Sequence, residues 1–258
     1  MSKISKNTSA AAATHTTGAQ SGKLFDAATR LRKAAKIQTV LAEALGHQTR
    51  QLRLLDVGCS SGVIINALAG RFGFVAGVDP DHASLRIAKQ QANQADLNIA
   101  HTDGISLPFA ANSFDVAICA QVYEHAVNQQ ALADEIYRIL KPSGLLFFSG
   151  PNRLTPIEDH YHLPLLSWFP RPIASAYVRL LGRGTAYEET PLFLPQLRQL
   201  WRRFHIQDLS IEMIRNPERY HLAQDMGALK FLSALPAGLL NALLPFLPNY
   251  NWLLTKKD

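Results

Sequence analysis

Cysteine is scarce: the 258 residues hold two, Cys59 and Cys119, each in an apolar strand-end context and neither in a closely spaced pattern. That usage excludes a disulfide-built fold and points to reduced thiols in a cytoplasmic protein. Charge is also sparse, at 18% of residues against 47% hydrophobic, a balance that excludes global disorder and supplies a large core. The basic excess is small, 26 Lys and Arg against 20 Asp and Glu. It is dispersed apart from short clusters at Arg30 to Lys36 and Trp201 to Arg203, a pattern of solvated helix faces that speaks against a nucleic-acid partner. The opening MSKISKNTSAAAATHTTGAQSGK has no apolar core of secretory-signal length, so residues 1–22 read as a flexible tail and 23–258 as one domain. Phe231 to Leu247 is uncharged and approaches the length of a membrane span, but Pro236 and Pro245 interrupt it. Missing too are a GxGxxG turn and a companion Lys/Tyr pattern, which disfavours a nicotinamide-dependent dehydrogenase.

What is present centres on Leu54 to Leu68, LLDVGCSSGVIINAL. An apolar run ends in Asp56, crosses a turn holding Gly58 and Gly62, and re-emerges with the apolar spacing of a helix. Such a turn lets a ligand approach the backbone beside the unpaired N–H groups of a helix start, although it also occurs for packing alone. A second strand, Phe74 to Pro80, ends in Asp79 and Pro80. Asp79 follows Asp56 at about the 20-residue spacing that places an acid beside ribose hydroxyls, while Asp81 suits the cap of a helix beginning near His82. Leu85 to Gln94 reads as helix and Leu97 to Thr102 as a short strand ending at Asp103-Gly104. Asp103 stands as an acceptor for a purine amine, with Gly104 or Ile105 N–H groups beside it, or as a turn former. Val116 to Cys119, after Phe114-Asp115, makes a fourth strand with Gln121 to His125 just past its end; Ala131 to Leu140 is helical and exits through Lys141 to Gly144; Leu145 to Ser149 is a fifth strand. Upstream, Leu24 to Leu45 forms a covering helix on which Phe25, Arg30 and Arg32 either reach a ligand or lie on an exposed face. The βαβα alternation predicts a mainly parallel sheet with helices on both faces.

Taken in order, LLDVGCSSG, VDPD, HTDGISLPFAANSFDVAICAQVYEH and ILKPSGLLFFSGPN resemble the corresponding stretches of class I S-adenosylmethionine-dependent methyltransferases, nearest the branch that includes quinone-biosynthesis enzymes. The resemblance runs from about Leu52 to Asn152. It implies an α/β, doubly wound, Rossmann-like sheet of seven mostly parallel strands with the last antiparallel, the sixth from Phe204 to Ile214 and the seventh from Asn251 to Lys256. It also implies S-adenosylmethionine as cofactor. Asp56, Gly58, Cys59 and Gly62 would surround its methionine part, Asp79 with Pro80 the ribose, Asp103 with Gly104 the adenine amine, and Gln121 the floor near the sulfonium. The family's turn carries a glycine where this chain has Ser60.

Methyl transfer from a sulfonium gains mostly from positioning the nucleophile and, for a hydroxyl, from removing its proton. His125 stands where a general base is expected, or is part of the scaffold. Residues 151–191 read as a cap inserted after the fifth strand, with Glu158, Asp159, His160, Tyr161 and His162 as groups able to touch substrate; His160 and His162 would share a side if extended. Adjacent positions lack the spacing of a helical metal pair, and no second cluster completes a ligand set, so no metal is expected. Residues 217–248 form a second, helical and apolar insertion. Together with Trp168 to Arg171, its 226–248 stretch either packs on the core or meets a membrane surface and a lipid-linked acceptor. The expected activity is methyl transfer, chiefly to oxygen, on a small-molecule or lipid- or glycan-linked acceptor. The alternatives are a non-catalytic cofactor-binding scaffold and a nucleic-acid methyltransferase, the latter disfavoured because no Asn/Asp-Pro-Pro-aromatic tetrad occupies Ala120 to Glu124.

Overall fold

The apolar runs become strands because both of their faces are covered. In the computed structural model, which describes residues 27–46, 48–92 and 98–257, β1 (Arg53–Val57), β2 (Phe74–Asp79) and β4 (Phe114–Ala120) are buried over most of their length. Alternate residues feed opposite layers, as a pleated strand requires. Leu55, Ala117 and Cys119 join one core; Leu54, Val116 and Ile118 join the other. The first layer is closed by α4 (Gln129–Ile139) and α6 (Leu194–Leu200) through Leu132, Ile136, Leu197 and Leu200. The second is closed by α1 (Ala27–Leu45) and α2 (Val63–Leu68) through Ile37, Leu41, Ile65 and Leu68. Each such buried side chain contributes about 1.5–3 kcal/mol.

With β3 (Asn98–His101), β5 (Leu140–Pro151), β6 (Phe204–Asp208) and β7 (Asn249–Lys256), seven strands of the described residues make one sheet in the order β3-β2-β1-β4-β5-β7-β6. β7 runs antiparallel to β5 and β6, and the other pairs are parallel. The chain winds outward from β1 to β2 and β3, then returns to β4 on the other side. That reversal opens a crevice above the carboxyl ends of β1, β2 and β4.

Several boundaries differ from the expected ones for local reasons. The sixth strand stops at Asp208, because its Oδ1 accepts the Ser210 N–H at 2.9 Å and the chain turns into α7 (Ser210–Arg215). The fifth strand starts at Leu140, with Lys141 to Gly144 as a bend inside it: Ser143 has φ 57°, and the register against β4 shifts there. α3 (His82–Gln90) begins where Asp81 caps it, accepting from the Ala83 and Ser84 N–H groups. Residues 1–22, Phe25, Gln94 and Leu97 lie outside the described residues.

The segment between β5 and α6 carries a single turn at Leu166–Trp168, α5 (Arg171–Leu180), and a small core of its own from Tyr161, Leu163, Leu166, Ala174, Val178 and Tyr187. The segment between α7 and β7 is broken into a 3-10 stretch Gly227–Ala234, α8 (Ala237–Leu243) and a turn Leu244–Phe246, with Pro236 and Pro245 at the breaks. Among the described residues no helix is long and apolar enough to cross a membrane.

Candidate active site

The glycine turn after β1 is shaped by contacts that only glycine allows. Gly58 and Gly62 have φ of 79° and 77°, and an added Cβ would fall 2.3 Å from Val122 Cγ2 or 2.9 Å from Ala88 Cβ. Ser60 lies between them with φ 47°, so the loop keeps a left-handed residue where a glycine was expected, at a cost of about 1–2 kcal/mol. Its N–H donates to Asp79 Oδ2 at 2.8 Å, and the Asp81 N–H donates to Oδ1 at 2.8 Å. Asp79 thus holds the loop while remaining at the tip of β2.

Asp56 is 1% exposed, and its Oδ2 has no hydrogen-bond partner. Burial, reinforced by the charge of Asp79, pushes its carboxyl up to about 8. Arg30, from α1, reaches over the turn to Ser60 Oγ at 3.4 Å and lies in the fields of Asp79 and Asp56. Burial lowers its pKa against those two carboxylates. Arg32 turns elsewhere and pairs with Asp225, its Nε donating at 3.0 Å.

The remaining expected contacts divide. The Cys59 thiol faces the core beneath Gly77, where an added Cβ would meet Sγ at 2.8 Å, so its backbone is the part that borders the crevice. Pro80 is exposed at the tip of β2, its carbonyl 3.0 Å from His101 Nε2. Asp103 is exposed and caps its own turn, accepting the Ile105 N–H at 3.1 Å, while Gly104 adopts φ 80°. Gln121 also has a positive φ, 60°; its Nε2 donates to Asn249 Oδ1 at 2.8 Å, and Asn249 donates to Asp159. The end of β4, the start of β7 and the segment after β5 are therefore tied together at the rim. Two non-glycine residues with φ > 0, Ser60 and Gln121, stand at this crevice, a concentration of backbone strain typical of functional sites.

A second group lies where β4 gives way to the turn Tyr123–His125. Glu124 is fully buried, and neither carboxylate oxygen has a hydrogen-bond partner. Burial raises it to about 7. His125 Nε2 is 3.9 Å from Glu124 Oε1, and the His125 ring meets that of His160 edge to face at 5.1 Å. His160 comes from the segment after β5, with Nδ1 2.9 Å from Glu158 Oε1. Burial works against its charge, but the Glu158 contact and nearby carboxylates outweigh it and raise His160 to about 9. His125 is pushed down to about 4 by burial and by His160, so its ring is neutral at pH 7, with one edge of the side chain exposed.

His162 does not join them. Glu158 folds the segment into a turn, its carboxylate accepting the His160 and Tyr161 N–H groups and its carbonyl the His162 N–H. His162 consequently sits exposed with φ 54°, and the shared face expected of an extended strand is not formed. The expectation that no second cluster meets the histidines is corrected as well: ligand atoms of Glu124, His125 and His160 lie within 4.8 Å of one another. Glu189, buried with Oε2 unpartnered, adds a carboxylate whose charge acts on His160. Sequence reasoning singled out neither Glu124 by itself nor Lys33, which feels Asp159 and Glu124. The legible signal was Arg30, Lys33 and Lys36 at three-residue spacing on one helix face.

An open, mostly parallel sheet with acids at successive strand tips around a strained glycine turn is the arrangement in which α/β domains hold ligands. Residues 55–148 match the family model described as a methyltransferase domain, about a third of the chain. A ubiquinone biosynthesis O-methyltransferase of Saccharophagus degradans is 33% identical over 109 residues, 41% of this chain and 46% of the relative, so the matched stretch spans under half of that protein. A protein of the same name from Pseudomonas fluorescens is 28% identical over 182 residues, 67% of this chain and 74% of its own. Among solved structures, an S-adenosylmethionine dependent methyltransferase from Mesorhizobium loti superposes with TM-score 0.57 at 14% identity, over 86% of this chain and 98% of that one, a likeness of fold.

Proposed function

We propose that this protein is an S-adenosylmethionine-dependent methyltransferase that methylates an oxygen of a small-molecule acceptor. The observation that carries the reading is the buried Asp56 carboxyl, its Oδ2 without a partner, beside Asp79 and Arg30 in a stretch that matches the methyltransferase-domain model. A buried acid without a partner is costly unless a ligand supplies one. The donors present fit such a ligand: Asp56 suits an ammonium group, Arg30 a carboxylate, Asp79 the two hydroxyls of a ribose, and Asp103 with Gly104 the edge of an adenine. When bound, S-adenosylmethionine supplies the electrophilic methyl group. The chain's own contribution is to orient that ligand and to receive the acceptor's proton. Neutral His125, exposed on one edge at the end of β4, offers a nitrogen lone pair for this, whereas His160 at about 9 is already protonated at pH 7.

The segment after β5 is read as a cap over the acceptor, and 217–248 as a second insertion. Exposed Trp168, Phe169 and Ile173 on the first, with Phe231, Leu239 and Phe246 on the second, support an acceptor carrying an apolar chain. The names of the ubiquinone-biosynthesis relatives support a phenolic oxygen.

Calorimetric titration with S-adenosylmethionine and S-adenosylhomocysteine, with NAD as control, tests the reading. Binding of the first two at micromolar affinity, roughly −8 kcal/mol, followed by methyl transfer to a phenolic acceptor, is expected. Binding without transfer to any hydroxyl acceptor would favour the scaffold alternative, and binding of NAD alone would overturn the assignment.

A further inference from the structure

We infer that the hollow between the exit of β5, the start of α6 and the turn Leu244–Phe246 is a binding site for a long-chain carboxylate, with Arg153 holding the anionic end. Its volume of about 550 Å³ falls within the roughly 300–1,000 Å³ of small-molecule sites. The walls are Leu154, Phe193, Leu194, Pro195, Gln196 and Pro245, none of them charged and all but Gln196 apolar. Phe193 is 36% exposed, apolar surface that a bound chain would take out of water. Arg153 is an independent indication. Its guanidinium lies over the Phe193 ring, 5.0 Å from the centroid. Nε is buried without a hydrogen-bond partner, and among the described residues the side chain makes no ion pair.

A buried donor with no acceptor is costly, and a planar anion with two oxygens matches the guanidinium fork. Gln196 accepts the Phe193 N–H on Oε1 at 3.1 Å, which leaves its NH2 group as a further donor on the wall. The charge count selects the anion: one guanidinium balances a carboxylate, whereas a phosphate monoester carries about −1.5 to −2 at pH 7 and would leave charge unmatched. Apolar walls beside that single cation call for a chain on the carboxylate. The hollow adjoins the crevice through residues 190–193. Thr190 N–H donates to the Glu124 carbonyl at 2.9 Å and Leu192 N–H to Tyr123 Oη at 3.1 Å, while the Leu192 carbonyl accepts the Arg153 N–H at 3.2 Å. An occupant therefore presses on the segment that braces the turn Tyr123–His125, without using Asp56, Asp79 or His125. The inference does not rest on the methyl-transfer reading.

The test is calorimetric titration of the full chain with sodium decanoate below its micelle concentration, without S-adenosylmethionine, beside acetate, 1-decanol and decyl phosphate. One decanoate per chain at micromolar affinity is expected, with acetate and 1-decanol each at least about tenfold weaker, since each lacks half of what the site recognises. Arg153→Gln should weaken decanoate at least about tenfold and leave 1-decanol within about twofold. Pro195→Glu, at an exposed wall position in the first turn of α6, should weaken decanoate at least about tenfold by like charge and keep the wild-type melting curve. Absence of saturable decanoate binding to the folded wild-type chain would overturn the inference. Equal affinity in both variants would also overturn it, as the mark of adventitious binding elsewhere. Decyl phosphate bound more tightly than decanoate would overturn the carboxylate assignment. Decanoate binding with no affinity for S-adenosylmethionine would sink the methyl-transfer reading alone, and the reverse result would sink this site alone.

Discussion

At the scale of single residues, the crevice is governed by groups whose ordinary preferences are overridden. Asp56 is the clearest: burial holds it protonated up to about 8 against an ordinary 3.8. A carboxyl whose folded pKa is raised binds a proton in the native state that the unfolded chain releases, so ligand-free stability falls as pH rises between about 4 and 8. Asp56→Asn removes that dependence. Its stability relative to wild type should climb with pH by up to about 1.4 kcal/mol per unit in this window, measured by urea denaturation at pH 5, 6 and 7; parallel pH curves would contradict the assignment. Asp79→Ala should weaken S-adenosylmethionine binding by about 1.5–3 kcal/mol for each charged hydrogen bond lost, and unchanged affinity in calorimetry would remove Asp79 from the site. Ser60→Gly relieves a left-handed serine and should stabilise the ligand-free protein by about 1 kcal/mol, shifting the urea midpoint upward. A downward shift would mean that the serine hydroxyl outweighs the strain.

At the scale of elements, each strand tip delivers one group and each following turn fixes its direction. α3 shows how local this is. Asp81 takes two backbone N–H groups and the Ser84 hydroxyl, leaving Asp79 to brace the glycine turn. Asp81→Ala should therefore cost about 0.5–2 kcal/mol in thermal or urea melts, as for other lost N-caps, and loosen β2's tip only indirectly. The contact between β2 and the turn is tighter: a Cβ at Gly77 would lie within 2.9 Å of both Cys59 Cβ and Sγ and 3.0 Å from Ile65 Cδ1. Gly77→Ala should cost about 1–3 kcal/mol through overpacking. A neutral effect would show that the Cys59 loop can retreat from the sheet.

At the scale of the whole molecule, two large cores sandwich the sheet, while the segment after β5 relies on a satellite core of six buried residues. Stability is then unevenly distributed. Amide hydrogen exchange should reach Tyr161 to Val178 well before β4, β5 and the central part of β7, whose pairing joins both cores. Uniform protection across all of them would contradict this division.

The periodicity and punctuation of the chain sufficed for the first five strands, while the sixth and seventh came only from the resemblance: LLDVG, FVAGVDP and FDVAICA announce buried strands, and Asp56, Asp79 and Asp103 fall at the ends of the first three, because strand ends and turns are written in adjacent residues. The Glu124-His125 pair was visible in the same way, but its partner was not. His160 arrives through a turn made by the Glu158 carboxylate, a local hydrogen bond that no alternation rule contains, and this is why the expected pairing of His160 with His162 fails. Arg30 and Arg32 likewise allowed two readings, a ligand contact or an exposed face, and the packing of α1 over α2 and the glycine turn separated them, sending Arg30 to Ser60 and Arg32 to Asp225. Sequence determines what is local, namely which residues end each strand and which turn each glycine permits. Tertiary structure alone brings the end of β4 against a segment some 35 residues later, because only closing both cores around β5 and β7 places them side by side.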